Sequence, residues 1–170
     1  MRYNIKNELI IRQKLETITD WSIEFNQNYG DKFGYDLKCF KHIKNNSETG
    51  FEKKFICYIE VEHGASWHQK ELPINWPEIS FLKRKVNNYD YKKNVFENEC
   101  KLNGKDTIYL KTNKDFTNCF FVKIDYLFRN GKESRRSKPN DRMNSFLVLS
   151  RNEINIGWQS FTEYIHNYCN

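Results

Sequence analysis

Gly34-Tyr-Asp-Leu-Lys-Cys-Phe40 and Phe55-Ile-Cys-Tyr-Ile-Glu-Val-Glu62 are two β-type runs separated by Asn45-Asn-Ser-Glu-Thr-Gly50, a stretch of turn-forming residues. The pattern predicts a long antiparallel hairpin. If it folds symmetrically about residue 48, Asp36 lies opposite Glu60. Side chains alternate along a strand, so Glu60 and Glu62 point the same way and Asp36 joins them. The other face then carries Leu37, Cys39, Phe55, Cys57, Ile59 and Val61, an apolar face for a core. A shift of one residue in the turn would send Asp36 to that apolar side. Like charges facing each other across a ladder are destabilising, so three acids on one face call for a cation.

The surrounding composition bounds what such a hairpin can serve. A chain of 170 residues reads as a single domain, 1–170, able to bury about two-thirds of its unfolded surface. Aromatic residues make up 16% of it, so the core is expected to rest on Phe, Tyr and Trp. Charged residues reach 29% without low-complexity tracts, which argues against global disorder. The net charge of +6 favours a polyanionic partner. The five cysteines are odd in number and form no CxxC pair, which excludes a zinc ribbon or a redox motif of that kind. With no apolar leader and no run of spanning length, the chain reads as cytoplasmic, reduced and without a membrane partner.

Outside the hairpin, apolar residues at three- and four-residue steps predict a helix over about 7–28. Ile79–Val86, Thr107–Lys111, Cys119–Phe128 and Ser145–Ser150 read as strands, the third nearly continuous in apolar character. Residues 157–168 form an amphipathic helical pattern. The expected fold is α+β: a mixed β-sheet with an N-terminal helix, a long hairpin and a C-terminal helix.

Mg²⁺ takes hard oxygen ligands, commonly one or two carboxylates completed by waters and substrate phosphate oxygens. Asp36 and Glu60 on neighbouring strands would supply such a half-shell. A bound metal can activate water for attack on a phosphodiester. In these residues the chain resembles the PD-(D/E)XK nuclease superfamily: an N-terminal helix, an Asp on one strand, a turn, then the signature Tyr58-Ile-Glu-Val-Glu62. The resemblance covers roughly residues 8–70. It implies a restriction-endonuclease-like fold and hydrolysis of nucleic acid, with DNA favoured. It further implies an Mg²⁺ (or Mn²⁺) cofactor on Asp36 and Glu60 and an action that many members perform as homodimers. Members often add a Glu from the first helix; Glu16 is the best-placed match, with Glu8 and Glu24 as alternatives. Two departures stand out. Tyr35 replaces the Pro before Asp36, and Glu62 occupies the place of the usual catalytic lysine. Lys38, on the same expected face, is the candidate compensating cation, with Lys123 second.

Further candidates surround this set. Gln69 falls where related nucleases place a substrate-contacting residue. His63 and His68 lie beside the acids, but their spacing does not put both on one helix face and no HExxH occurs. Lys83, Arg84 and Lys85, followed by Lys92 and Lys93 among tyrosines, form one basic segment. Arg129, Lys132, Arg135, Arg136, Lys138 and Arg142 form another, and both suit phosphate contact. No P-loop, GxGxxG or GxSxG motif is present. The alternative to a nuclease is a non-catalytic nucleic-acid-binding or protein-interaction module, of phage or host-defence type, that keeps the fold.

Overall fold

The computed structural model describes residues 4–25, 36–44, 50–86, 107–136 and 144–169. The predicted hairpin is present as β2 (Leu37–Lys44) and β3 (Phe51–His63). Helix α1 (Asn4–Ile18) and strand β1 (Trp21–Phe25) precede it. Strand β4 (Glu78–Leu82) runs into a one-turn helix, α2 (Lys83–Val86). Then come β5 (Thr107–Thr112), β6 (Cys119–Lys123), α3 (Ile124–Asn130), β7 (Lys132–Arg136) and β8 (Asn144–Ser150). The two-residue β9 (Asn155–Ile156) and helix α4 (Trp158–Cys169) close the chain. The fold is α+β, as expected.

Six strands form a mixed sheet in the order β1-β2-β3-β5-β6-β9. Its β3–β5 pair is parallel and the others are antiparallel. The alternation of side chains splits the core between the two faces of this sheet. On one face Ile11 and Leu15 of α1 and Phe161 and Ile165 of α4 meet Leu37, Cys39, Ile59, Leu110 and Phe121. On the other, Tyr58, Tyr109, Phe120 and Val122 pack against a second sheet of order β4-β8-β7. Phe81 of β4 is fully buried there, edge-on to the rings of Tyr109 at 5.2 Å and Phe120 at 5.5 Å. No helix among the described residues is long and apolar enough to cross a membrane.

Four expectations are corrected. The helix expected to reach residue 28 stops at Ile18, where the Thr19 hydroxyl donates to the Leu15 carbonyl at 2.7 Å and accepts the Trp21 N–H at 3.2 Å. Trp21, Ile23 and Phe25 then alternate as a strand, and a four-residue step satisfies both helical and strand spacing. The strand expected over 79–86 ends at Leu82, because Lys83-Arg84-Lys85 breaks the alternation and Val86 buries itself by helical spacing. The run over 119–128 is strand only to Lys123; Ile124 and Leu127 are buried at an i,i+3 step, and Asp125 pairs with Arg129 one turn on at 2.9 Å. The loop expected from Arg129 to Arg142 begins with the end of α3 and the edge strand β7, while residues 137–143 lie outside the described ones.

Phe81 is an apolar bridge between the two sheets, through its ring contacts with Tyr109 and Phe120. Replacing it with alanine is expected to lower stability by about 3–5 kcal/mol in urea denaturation, and a loss below about 1 kcal/mol would show that the sheets are held otherwise.

Candidate active site

The register of the hairpin decides which groups meet. Near its turn Lys41 pairs with Lys54 and Lys44 with Phe51, one residue away from the symmetry expected. Between Cys39 and Phe40 the register shifts, and beyond it Cys39 pairs with Cys57 and Leu37 with Ile59. Ile56 is the extra residue of this bulge, and it sits in the helix-covered core. The shift also corrects the expected apolar face: Phe55 turns to the opposite side, against Tyr58 at 4.8 Å between ring centres. Extending the site-side register by one residue puts Asp36 opposite Glu60.

Asp36 lies just before β2, and its Oδ2 accepts the Val61 N–H at 2.7 Å. The carboxylate thereby continues the β2–β3 ladder past the end of β2. A hydrogen bond from a backbone amide to a charged acceptor contributes about 1.5–3 kcal/mol. It ties Asp36 to the backbone that carries Glu60. Glu60 itself is 4% exposed, and a carboxylate at that depth is costly without compensation.

In the parallel pair Glu60 faces Tyr109 and Glu62 faces Lys111. Lys111 Nζ lies 2.6 Å from Glu62 Oε1 and 3.2 Å from the Ser80 carbonyl. The Tyr109 hydroxyl donates to Glu62 Oε2, which also receives the Leu82 N–H at 3.4 Å. Both Glu62 and Lys111 line a cleft of ≈ 790 Å³, as do Trp76, Pro77, Glu78 and Phe146. Sequence reasoning missed Lys111. Its strand was recognised, but the parallel register that sets it beside Glu62 joins segments about fifty residues apart and leaves no local signal.

Lys38, the cation expected instead, lies over the rings of Phe40, Phe55 and Tyr58 at 5.5, 5.7 and 5.8 Å. Lys123 is exposed and, by alternation from Phe120 and Val122, points to the side opposite the acids. Glu16 pairs with Arg12 at 3.0 Å and receives the Ile23 N–H at 3.4 Å, at the level of Cys39 rather than of Asp36. Arg12, one turn earlier, lies over Phe25, the partner of Leu37. The helix therefore runs towards the Asp36 end as its numbers fall. One further turn back is Glu8, 7% exposed and on the buried stripe with Ile11 and Leu15. Glu24 pairs with Lys53 on the hairpin.

His63 stacks on Phe116 and its Nε2 lies 3.0 Å from the Lys114 carbonyl, while His68 is exposed. Gln69 is exposed, and its carbonyl receives Asn113 Nδ2 at 3.1 Å. No group of three His, Cys, Asp or Glu among the described residues is gathered closely enough to hold a metal ion.

The two basic segments converge on one end of the smaller sheet. Lys83 follows Leu82, the partner of Phe146, while Arg135 and Arg136 pair with Ser145 and Asn144. Lys83 Nζ is 2.6 Å from Glu133 Oε2, which ties the segments together, and Lys132 is exposed. Leu82 also touches Glu62, so this basic end adjoins the acids. The side chains of Arg84, Lys85, Arg135 and Arg136, and the whole of Lys92, Lys93, Lys138 and Arg142, lie outside the described residues.

No protein-family model matches the chain, and no characterised protein matches it in sequence. Among solved structures it is similar to a nuclease from a fusellovirus, with 11% identity, a TM-score of 0.45, and coverage of 98% of this chain and 90% of the other. It is also similar to the Holliday junction resolvase of the archaeal hyperthermophile Archaeoglobus fulgidus, with 12% identity, a TM-score of 0.43, and coverage of 87% and 88%.

Burial first, then the charge and acceptor of Glu62 and the charge of Glu60, push the Tyr109 phenol well above its ordinary value. An unfolded tyrosine ionises near about pH 10, so above that pH the native state holds a proton that the unfolded state has lost. This contribution is complete below about pH 10 and declines as pH rises beyond it, by up to about 1.4 kcal/mol per pH unit. Tyr109→Phe is expected to flatten the fall in denaturation free energy between about pH 9 and about pH 11. An unchanged alkaline limb would show that Tyr109 does not set it.

Proposed function

We propose that this chain is a metal-dependent nuclease that hydrolyses phosphodiester bonds of nucleic acid, with DNA the favoured substrate. The observation that carries this reading is the Asp36 Oδ2 to Val61 N–H bond, which seats one carboxylate against the strand segment bearing another, buried one. A surface hairpin with solvated acids would give neither the ladder-capping aspartate nor a glutamate at the depth of Glu60.

The donor set fits Mg²⁺ or Mn²⁺. Both candidates offer hard carboxylate oxygens, and two protein carboxylates suffice when waters and substrate phosphate complete the shell. Asp36 and Glu60 would hold the ion, and Glu8 replaces Glu16 as the helix carboxylate nearest in level. When bound, the metal would lower the pKa of a water and offset charge on the phosphate. The chain's own groups orient and bind. The Val61 amide fixes Asp36, and the basic end of the smaller sheet holds the phosphate backbone through Lys83 and Lys132.

Asp36→Ala and Glu60→Ala are each expected to slow Mg²⁺-dependent cleavage by at least about 100-fold while nucleic-acid binding in EDTA changes little. Salt-sensitive binding with no cleavage of any DNA or RNA form by the unaltered protein, with Mg²⁺ or Mn²⁺, would replace this reading with that of a binding module.

A further inference from the structure

Phosphoryl transfer concentrates negative charge on the non-bridging oxygens, and a fixed cation in a water-poor site opposes it at little reorganisation cost. On β3 the position at which the family pattern has a lysine carries Glu62. Two lysines stand on the neighbouring strands, Lys38 on β2 and Lys111 on β5.

Lys38 faces Tyr58, two residues along β3 from Glu60, and lies over the rings of Phe40, Phe55 and Tyr58. Lys111 stands directly across the parallel pair from Glu62 and is held from two sides, by Glu62 Oε1 at 2.6 Å and the Ser80 carbonyl at 3.2 Å. Its side chain is 17% exposed and that of Glu62 is 11%, so the pair is largely withdrawn from water yet opens on the cleft. Glu62 is fixed in turn by the Tyr109 hydroxyl and the Leu82 amide. An ion pair placed only for stability gains little from such burial, since desolvation offsets the attraction. A pair that must present an ammonium at one point gains a fixed direction.

We propose that Lys111 is the catalytic cation of this site and that Glu62 is its positioning residue, an inference that rests on the nuclease reading. The Lys111 ammonium donates a hydrogen bond to a non-bridging oxygen of the scissile phosphate. Glu62, where the family pattern has a lysine, acts through Lys111 rather than on substrate.

Two double variants test this without stranding a buried charge. Lys111→Met with Glu62→Met removes both charges, and Glu62→Lys with Lys111→Glu exchanges them across the strand pair. Each is compared with the unaltered protein by thermal melting, by DNA binding in EDTA and by Mg²⁺-dependent cleavage. The neutral pair should bind DNA within about threefold of the unaltered protein but cleave at least about 100-fold more slowly. The exchanged pair should recover at least about a tenth of the original rate, because the ammonium returns to the same place from the other strand. Cleavage by the neutral pair within a few-fold of the unaltered protein would overturn the assignment. So would a folded, DNA-binding exchanged pair that does not cleave, and this second variant decides the matter if the neutral pair fails to fold. If the unaltered protein cleaves nothing, the nuclease reading itself falls, and the role of Lys111 with it.

Discussion

The register of the β2–β3 hairpin is the constraint on which the candidate site depends. With side chains alternating at every residue, one slip exchanges the two faces of a strand. The turn side of this hairpin is one residue away from the pairing that sets Asp36 beside Glu60, and the bulge at Ile56 restores it. Without that extra residue the core side chains and the acids would compete for the same face. The bulge also explains why Phe55 leaves the helix-covered core while Ile56 enters it.

From that register the electrostatics follow. The face carrying Glu60 and Glu62 is covered by a second sheet, so its charges sit in low dielectric, where each interaction is strong and each omission costly. Hydrogen bonds and an ion pair answer this at Glu62, which meets Lys111, Tyr109 and the Leu82 amide. The parallel β3–β5 pair is what delivers Tyr109 and Lys111 to the acids, and Phe81 closes the second sheet over them. Sheet topology, hydrophobic packing and the charged cluster are therefore parts of one arrangement.

The portions legible in the sequence were those with local periodicity. Alternation over 55–62 gave the hairpin and its faces, and helical spacing marked α1 and α4. The boundaries failed where two periodicities coincide, as at Trp21 and Phe25, or where a nearly continuous apolar run hides a change of element, as at Lys123–Ile124. In the candidate site, the juxtaposition of Asp36 with the strand segment bearing Glu60 was legible because the two flank one turn. Lys111 was not, since nothing near residues 107–112 encodes which rung of β3 they meet. The levels of Glu16 and Glu8 along the sheet were not legible for a related reason: helical spacing shows which face a residue occupies, while its level depends on packing such as that of Arg12 on Phe25.

The central claim is that Asp36 and Glu60 share one divalent ion beside the Glu62–Lys111 pair. Anomalous diffraction from crystals of the protein with Mn²⁺ tests it most directly. A single strong peak is expected at bonding distance, about 2.1 Å, from an oxygen of each carboxylate. A saturating Mn²⁺ soak that leaves this place empty, or puts the ion on other residues, would contradict it.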